Sequence, residues 1–472
     1  MTIDEVEYST FSGWIDPPTD VRPALISDLT CDVAVIGGGM GGMATALRLA
    51  ERQQDVVLLE AEFCGYGSSS RNGGQIAGAP GGDLRLLKLF YPNQIPGMVR
   101  LADNAAQFAE GLIRDHDIDC DYEPNGMVFG AVSRVQMLRV RACAAILRGA
   151  GGRGHVGTSE ELGIPRAFVG GMREGVGGML NPGKLSRGVR RALLSTSARV
   201  FEQTKVTDVR RDGGKVVIST PRGTVRANKV VLATNAYSGE WDITPKRLSV
   251  PAWIIEVETE PIAPERLAAL GWSSRSGVVT QHQIMENYRL TERNTIVFGV
   301  RRLERGKKYP LPVKAPDPGL VKELAAAFAT RFPSLADVRV ARAWGGWIAI
   351  TSSWLSIAGQ LGDNVFYMLA CNGHGLTQAP YVGSLIADLI VDGKRHEDLE
   401  GIWKEEPKFP PFMMLGRLGL RTVWAVDRLC DLFNGSKRNA RRAAVRCAEP
   451  DSAAVVEMST PTTLLPPANS PQ

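Results

Sequence analysis

The 472-residue sequence predicts an α/β fold in two parts. The first is a Rossmann-like dinucleotide-binding domain, a parallel sheet with an inserted β-meander. The second is a smaller α+β domain with a mixed or antiparallel sheet. Three stretches carry this reading. Residues 32–60, DVAVIGGGMGGMATALRLAERQQDVVLLE, pattern as strand, glycine turn, helix and a second strand ending on an acid. Residues 205–233 hold three strand candidates (205–210, 215–220 and 223–227) between DGG and PRG turns, then an apolar parallel strand at 230–233. Residues 364–390, NVFYMLACNGHGLTQAPYVGSLIADLI, repeat strand, glycine turn and helix.

In the first stretch Gly37, Gly39 and Gly42 give G-x-G-x-x-G directly after a β-branched run. Alone, that spacing arises by chance in glycine-rich chains; in register with two strands, a helix and an acid it is the dinucleotide fingerprint. Gly37 permits the tight turn, Gly39 lets a pyrophosphate approach the backbone, and Gly42 lets the helix pack on the strand. The helix N-terminus, at Met40, turns free N–H groups to the phosphates. Glu60 stands where an acid bonds a ribose 2′-hydroxyl, which would repel the 2′-phosphate of NADP.

Composition excludes several classes. The length suggests two domains, and the 44% hydrophobic content is ordinary for a globular chain. No apolar run reaches bilayer length, and the start MTIDEVEYST lacks a charged-then-apolar signal pattern. A cytoplasmic protein is expected. The seven cysteines are odd in number and form no C-x-x-C pair, and the five histidines show no ligand spacing, so neither a disulfide framework nor a metal site is expected. The net charge of +5 is local: residues 401–446 hold ten Lys/Arg against four acids. No nucleic-acid motif accompanies it.

Residues 1–30, with Trp14, Pro17, Pro18 and Pro23, read as an arm lying on the surface. The dinucleotide domain is expected to be discontinuous, over 31–95, 151–245 and 341–398, with 96–150 and 246–340 forming the second domain. After Glu60, AEFCGYGSSSRNGGQIAG has the glycines of a backbone that hugs a flat ligand, and its serines, Arg71 and Asn72 are donors a merely flexible loop would not need. Helical spacing marks 98–117 and 134–150 with a strand at 122–132 between them, and Asn181-Pro182 start another helix. Thr234-Asn235 end the 230–233 strand where a cofactor crevice should lie. Alternating stretches such as WIIEVETE and NYRLTERNTIVFGV, with a helix at 318–332, complete the second domain. Residues 411–433 pattern as a helix with Arg417, Arg421 and Arg428 beside an apolar face. That permits contact with a membrane interface, although docking on the protein's own body is the commoner use of such a face. Residues 447–472 are expected to be disordered.

Taken in order, GGGMGG with Glu60, GYGSSSRNGGQ, VVLATNAYS, WGGWIAIT and CNGHGL resemble FAD-dependent oxidoreductases of the D-amino acid oxidase superfamily over about residues 8–395. SRNGGQ and WGG-x-x-x-x-T are most similar to the gamma-glutamylputrescine oxidoreductase branch. The resemblance implies that Gly37, Gly39, Met40 and Gly42 hold the FAD pyrophosphate, Glu60 its ribose and Val206 its adenine, with Ala233 and Thr234 beside it. It further implies that Ser70, Arg71, Asn72, Gly73 and Gly74 line the isoalloxazine, and that Gly373, His374 and Gly375 face its pyrimidine end. Where relatives attach FAD covalently through histidine or cysteine, this chain has Arg71 and Gly346, which implies non-covalent FAD. Where amino-acid-oxidising relatives clamp an α-carboxylate, it has Ile348 and Thr377, so the usual bidentate partner is missing.

The implied reaction removes hydride from the carbon beside an amine nitrogen, delivers it to flavin N5, and ends in imine hydrolysis. An N-acylated diamine such as gamma-glutamylputrescine is the implied substrate, and oxygen or a quinone the acceptor. An alkylammonium, with an ordinary pKa of about 10, has no lone pair to assist, so a desolvated pocket is needed. Trp347, Tyr288 and Trp253 are the candidate walls, Glu286 and His282 the candidate proton acceptors, and each is also an ordinary core residue type. Tyr288, Trp347 and His374 are taken as the catalytic set. Because neighbours in a strand face opposite ways, either Tyr288 or Arg289 should face the flavin; Tyr288 is expected there, and Arg289 is the candidate for a relocated carboxylate anchor. An amino-acid oxidase, and an FAD-binding subunit without chemistry of its own, are the alternatives.

Overall fold

The computed structural model describes residues 1–3, 5–244, 249–282, 285–299, 303–306, 309–351, 355–369 and 371–403, with isolated residues at 422, 425, 426, 429 and 441. The expected amphipathic segment at 411–433 and the tail at 447–472 therefore lie almost wholly outside the described residues.

Among the described residues, eight strands form the first sheet, in the order Asp208–Asp212, Lys215–Thr220, Gly223–Leu232, Leu29–Ile36, Val56–Leu59, Arg199–Phe201, with Val365–Leu369 attached to Gly223–Leu232 and Ile357–Leu361 antiparallel to Val365–Leu369. The meander and the parallel strand expected at 223–233 are one continuous ten-residue strand. Its first half pairs antiparallel with Lys215–Thr220, its second half runs parallel to Val365–Leu369, and along its other edge it is parallel to Leu29–Ile36. Where helices cover them, the parallel strands are apolar, at 33–36, 56–59 and 230–232. Met40–Glu51, Pro182–Leu194 and Gly375–Asp392 pack there through Met43, Leu47, Val189, Leu385 and Ile386. Asn181 caps the second of these helices, accepting from Gly183 N–H and Lys184 N–H.

The second sheet is mixed. Its order is Glu7–Tyr8, Val340–Ile350, Val250–Thr259, Ile296–Gly299, Asn287–Leu290, Gly277–Thr280, Met127–Ala131, Gly170–Glu174, Gly154–Gly157, with Glu304–Arg305 on Val250–Thr259. One face buries Trp253, Val257, Tyr288 and Phe298 against Val321, Leu324 and Phe328 of the helix Pro318–Arg331. The strands at 154–157, 170–174 and 340–350, which the sequence grouped with the dinucleotide part, pair here instead. The helix Ile95–Asp115, grouped with the second domain, packs on Gly375–Asp392. Periodicity shows which faces of an element are buried; it does not show which distant strand it pairs with.

The arm is likewise not a surface piece. Phe11, Trp14 and Leu25 are buried, and Glu7–Tyr8 extends the second sheet parallel to Val340–Ile350. The indole N–H of Trp14 donates to Asn72 O at 2.8 Å, and its ring meets Trp344 edge-on at 5.7 Å. Prolines without helical period excluded a helix there, but they did not show that an extended chain adds a strand.

Candidate functional site

A cleft partly open to solvent runs past Ile36, Leu59, Ala233 and Leu369. These lie at the carboxyl ends of adjacent parallel strands, where open α/β sheets bind ligands. Gly37 has φ +104°, and a Cβ there would crowd the Ala233 carbonyl. A Cβ on Gly42 would overlap the Gly37 carbonyl oxygen, so helix and turn close only with glycine. Gly39 is different: a Cβ would meet only Ser69 Oγ, at 3.2 Å, and its open side faces the cleft. The helix Met40–Glu51 has no side-chain N-cap bond and no acid in its first turn. An open glycine at a helix N-terminus with no acid in its first turn suits a pyrophosphate.

Glu60 accepts from Gly38 N–H at 2.6 Å and Glu62 N–H at 3.0 Å, so its carboxyl is held at the cleft wall. Burial pushes it up to about 7, against the two N–H bonds that pull it down. Val206 lies opposite, below Trp241, whose indole N–H donates to Val206 O at 3.3 Å. Lys205 pairs with Glu240 at 3.5 Å beside them. Ala233 and Thr234 line the centre, with Thr234 Oγ1 bonded to Ser238 at 2.8 Å.

The loop after Glu60 is held by its own polar groups. Asn72 Nδ2 donates to Ser68 O and Ser69 O, Asn72 Oδ1 accepts from Gly74 N–H, and Ser69 Oγ accepts from Met40 N–H. Asn72 lines the cleft; Ser70, Arg71, Gly73 and Gly74 do not. Ser70 is buried and its carbonyl accepts from Ser12 Oγ. Arg71 lies against the stacked rings of Phe11 and Tyr66 and donates to the carbonyls of Tyr66, Thr10 and Gly345. It ties loop, arm and the WGGW strand together. Gly346 lies beside it.

Gly373 and Gly375 line the cleft, and a Cβ on Gly373 would meet nothing within 4 Å. His374 does not line it: its ring packs on Gly81, its Nδ1 lies 3.2 Å from Asn372 O, and burial lowers its pKa. Trp347 and Ile348 line the far end; the indole N–H of Trp347 donates to Pro312 O at 2.9 Å, and Trp253 supports it edge-on at 5.3 Å. Thr377 Oγ1 accepts from Ala77 N–H.

Tyr288 is not on the cleft. It packs among Phe168, Phe298, Phe328 and Phe332, and its hydroxyl donates to Glu286, which Arg331 also holds, at 3.2 Å. His282 bonds Thr280 at 2.7 Å, also away from the cleft. Parity therefore turns Arg289 toward the RNGG loop, the reverse of the expectation. Alternation required that one of the pair face each way, and the aromatic core behind the sheet takes the tyrosine. Arg289 donates to the carbonyls of Gly73, Gly74 and Leu180 under the Trp14 ring.

Two features escaped the sequence reading. Cys371 lines the cleft, accepts from Asn235 Nδ2 at 3.5 Å, and is kept a thiol by burial. Glu256, buried beside Gly73, accepts from Asn287 Nδ2 at 3.2 Å, and burial pushes it up to about 8. An acid inside the apolar run WIIEVE was the available signal.

A family model described as FAD dependent oxidoreductase matches residues 32–389. The chain belongs to this family. It is an enzyme of the D-amino acid oxidase superfamily, and FAD is its cofactor. The chain is 30% identical over 375 residues to gamma-glutamylputrescine oxidoreductase of Escherichia coli (strain K12), covering 78% of this chain and 85% of that protein. Among solved structures it is similar to L-proline dehydrogenase from P. horikoshii (TM-score 0.68, 21% identity, 80% and 96% of the two chains). Glycine oxidase from Geobacillus kaustophilus is similar too (TM-score 0.66, 21% identity, 81% and 99%). The two-sheet architecture is therefore that of the superfamily.

Proposed function

We propose that this FAD-dependent oxidoreductase oxidises an amine at the carbon beside nitrogen, and that the amine is an N-acylated diamine of the gamma-glutamylputrescine kind. The observation that carries the reading is the charge of the cleft. Among the described lining residues the cation is Lys205, at the end with Val206, where Glu240 pairs it; the end with Trp347, Ile348, Leu311 and Val313 is apolar. Lys314, whose ammonium stands 5.4 Å from the centre of the Trp347 ring, is already paired with Glu304, so an α-carboxylate buried there would lack a free partner, as costly as removing one member of a buried ion pair. Arg289 does not fill that role, because backbone carbonyls already occupy it. The 30% identity to gamma-glutamylputrescine oxidoreductase points to the same substrate class.

In this reading Gly37, Gly39 and Gly42 with the helix N-terminus at Met40 hold the pyrophosphate, Glu60 the ribose and Val206 the adenine, while Asn72, Gly373 and Gly375 flank the ring system. Ser70, Arg71, Gly73, Gly74 and His374 support that wall from behind. Bound there, FAD supplies the two-electron acceptor for C–N oxidation. Trp347 and Ile348 exclude water, which favours the neutral amine over the ammonium. Binding is non-covalent: Gly346 offers no side chain, Arg71 is not a nucleophile, and burial keeps Cys371 protonated. The final acceptor is oxygen or a quinone.

The test is anaerobic flavin reduction by gamma-glutamylputrescine, putrescine and sarcosine. The acylated diamine should be fastest, and faster reduction by sarcosine would overturn the assignment. Flavin that stays with the acid-precipitated chain would refute non-covalent binding.

A further inference from the structure

The helices Leu84–Phe90 and Arg134–Gly149 lie side by side and share a core of Leu84, Leu87, Val140, Cys143, Ala144 and Leu147. That accounts for their inward positions. Their outward positions are apolar as well: Leu86 is 42% exposed, Leu89 71%, Phe90 68%, Val135 55% and Leu138 64%. Apolar side chains of this size are ordinarily turned to the core of a surface helix, and five of them on two neighbouring helices are more than isolated exposures.

The charges carried by the two helices themselves are of one sign. Neither helix contains an Asp or Glu. Arg85 pairs with Asp83, the N-cap of the first helix, and Arg139 donates to Gln281 O. Lys88, Arg134, Arg141 and Arg148 are exposed, and among the described residues no carboxylate pairs with them. A second copy is a poor occupant, because an isologous contact would set these cations against their own equivalents. The patch needs a partner that is anionic at its surface and apolar just beneath it. Leu89 and Phe90, at the C-terminal end of a short helix, project outward as interfacial anchors do, and the four cations are placed to meet phosphates.

We propose that this two-helix face rests on the surface of an anionic lipid bilayer. No helix among the described residues is long and apolar enough to cross a membrane, so the contact is peripheral. It is independent of the substrate reading above.

The test is co-sedimentation of the full-length, FAD-loaded enzyme with vesicles of phosphatidylcholine alone and of phosphatidylcholine mixed with phosphatidylglycerol. The enzyme should pellet with the anionic vesicles, and less so as salt rises. Leu89→Glu/Phe90→Glu and Lys88→Glu/Arg141→Glu should each weaken that partition by about tenfold or more, with bound flavin unchanged as the check on folding. Three results would overturn the proposal. One is no binding by the parent enzyme; another is binding untouched by either pair of substitutions, which would move the contact to residues 404–472. The third is a shift of oligomeric state in the variants without vesicle binding by the parent, which would assign the face to a second copy.

Discussion

At the nucleotide end of the cleft the wall is largely backbone, contributed by the glycine turn at 37–42, the helix that follows it and the loop at 60–72. At the other end the wall is side chain. Tyr237, Leu311, Val313, Trp347, Ile348 and Cys371 meet there from four segments spread over more than a hundred residues of sequence. The first end tolerates few residue types because φ angles and close approaches dictate them. The second tolerates many, provided the space is filled, and this is where members of one family can differ in substrate.

The sharpest way to break the nucleotide end is to compare two of its glycines. Gly42→Val should prevent folding, since the new Cβ would overlap a backbone carbonyl that cannot move away cheaply. Gly39→Val should fold, because a Cβ there would press only on the movable end of the Ser69 side chain, yet retain less than about a tenth of the FAD, since the proposed role of the glycine is to admit the pyrophosphate. Circular dichroism and flavin content together check both. A Gly39→Val protein with full flavin would remove the basis of the comparison.

A pH effect comes next. Glu174 is buried, accepts from Gly78 N–H at 2.6 Å, and is pushed up to about 8 by desolvation. Its folded pKa lies above its unfolded value, so the folded state holds the proton more tightly. The stability it contributes is present at low pH and is lost as pH rises through about 8. Between pH 6 and 9 the parent should lose on the order of 2–3 kcal/mol that Glu174→Gln keeps, read as urea midpoints at the two pH values. Parallel pH curves for the two proteins would show that Glu174 is charged throughout.

Glu60→Ala should weaken FAD binding by roughly 10–100-fold, the cost of losing a charged hydrogen-bond partner for the ribose, measured by titrating apoprotein with FAD. In the parent, affinity should fall as pH drops through about 7, where Glu60 takes up a proton. The smallest effect belongs to the side-chain end. Trp347→Phe removes the bond to Pro312 O and keeps most of the apolar wall, so kcat/KM should fall by about tenfold at most. A larger loss would mean that Trp347 positions the substrate directly.

The same division explains what could be read from the sequence. The strand Val56–Leu59, the capped helix Pro182–Leu194 and the glycine turn were legible because each depends on residues close in sequence. Tyr288 was misplaced because alternation fixes that it opposes Arg289, whereas which face meets the aromatic core depends on the helix Pro318–Arg331 arriving from elsewhere. The donors of SSSRNGG were legible as donors. That Arg71 spends its own on the carbonyls of Thr10 and Gly345 was not, since those carbonyls are placed by the arm and the WGGW strand.

The interleaving of the two sheets has a consequence for biosynthesis. The strand Gly223–Leu232 emerges from the ribosome with its meander partner and with Leu29–Ile36 already available, but half of one edge must wait for Val365–Leu369. The second sheet waits similarly, because Glu7–Tyr8 pairs with residues near 342. Through most of translation the nascent chain therefore carries two incomplete sheet edges, of the kind that recruits other chains. Nascent chains released before residue 369 should be recovered with chaperones and without flavin, whatever substrate the finished enzyme takes.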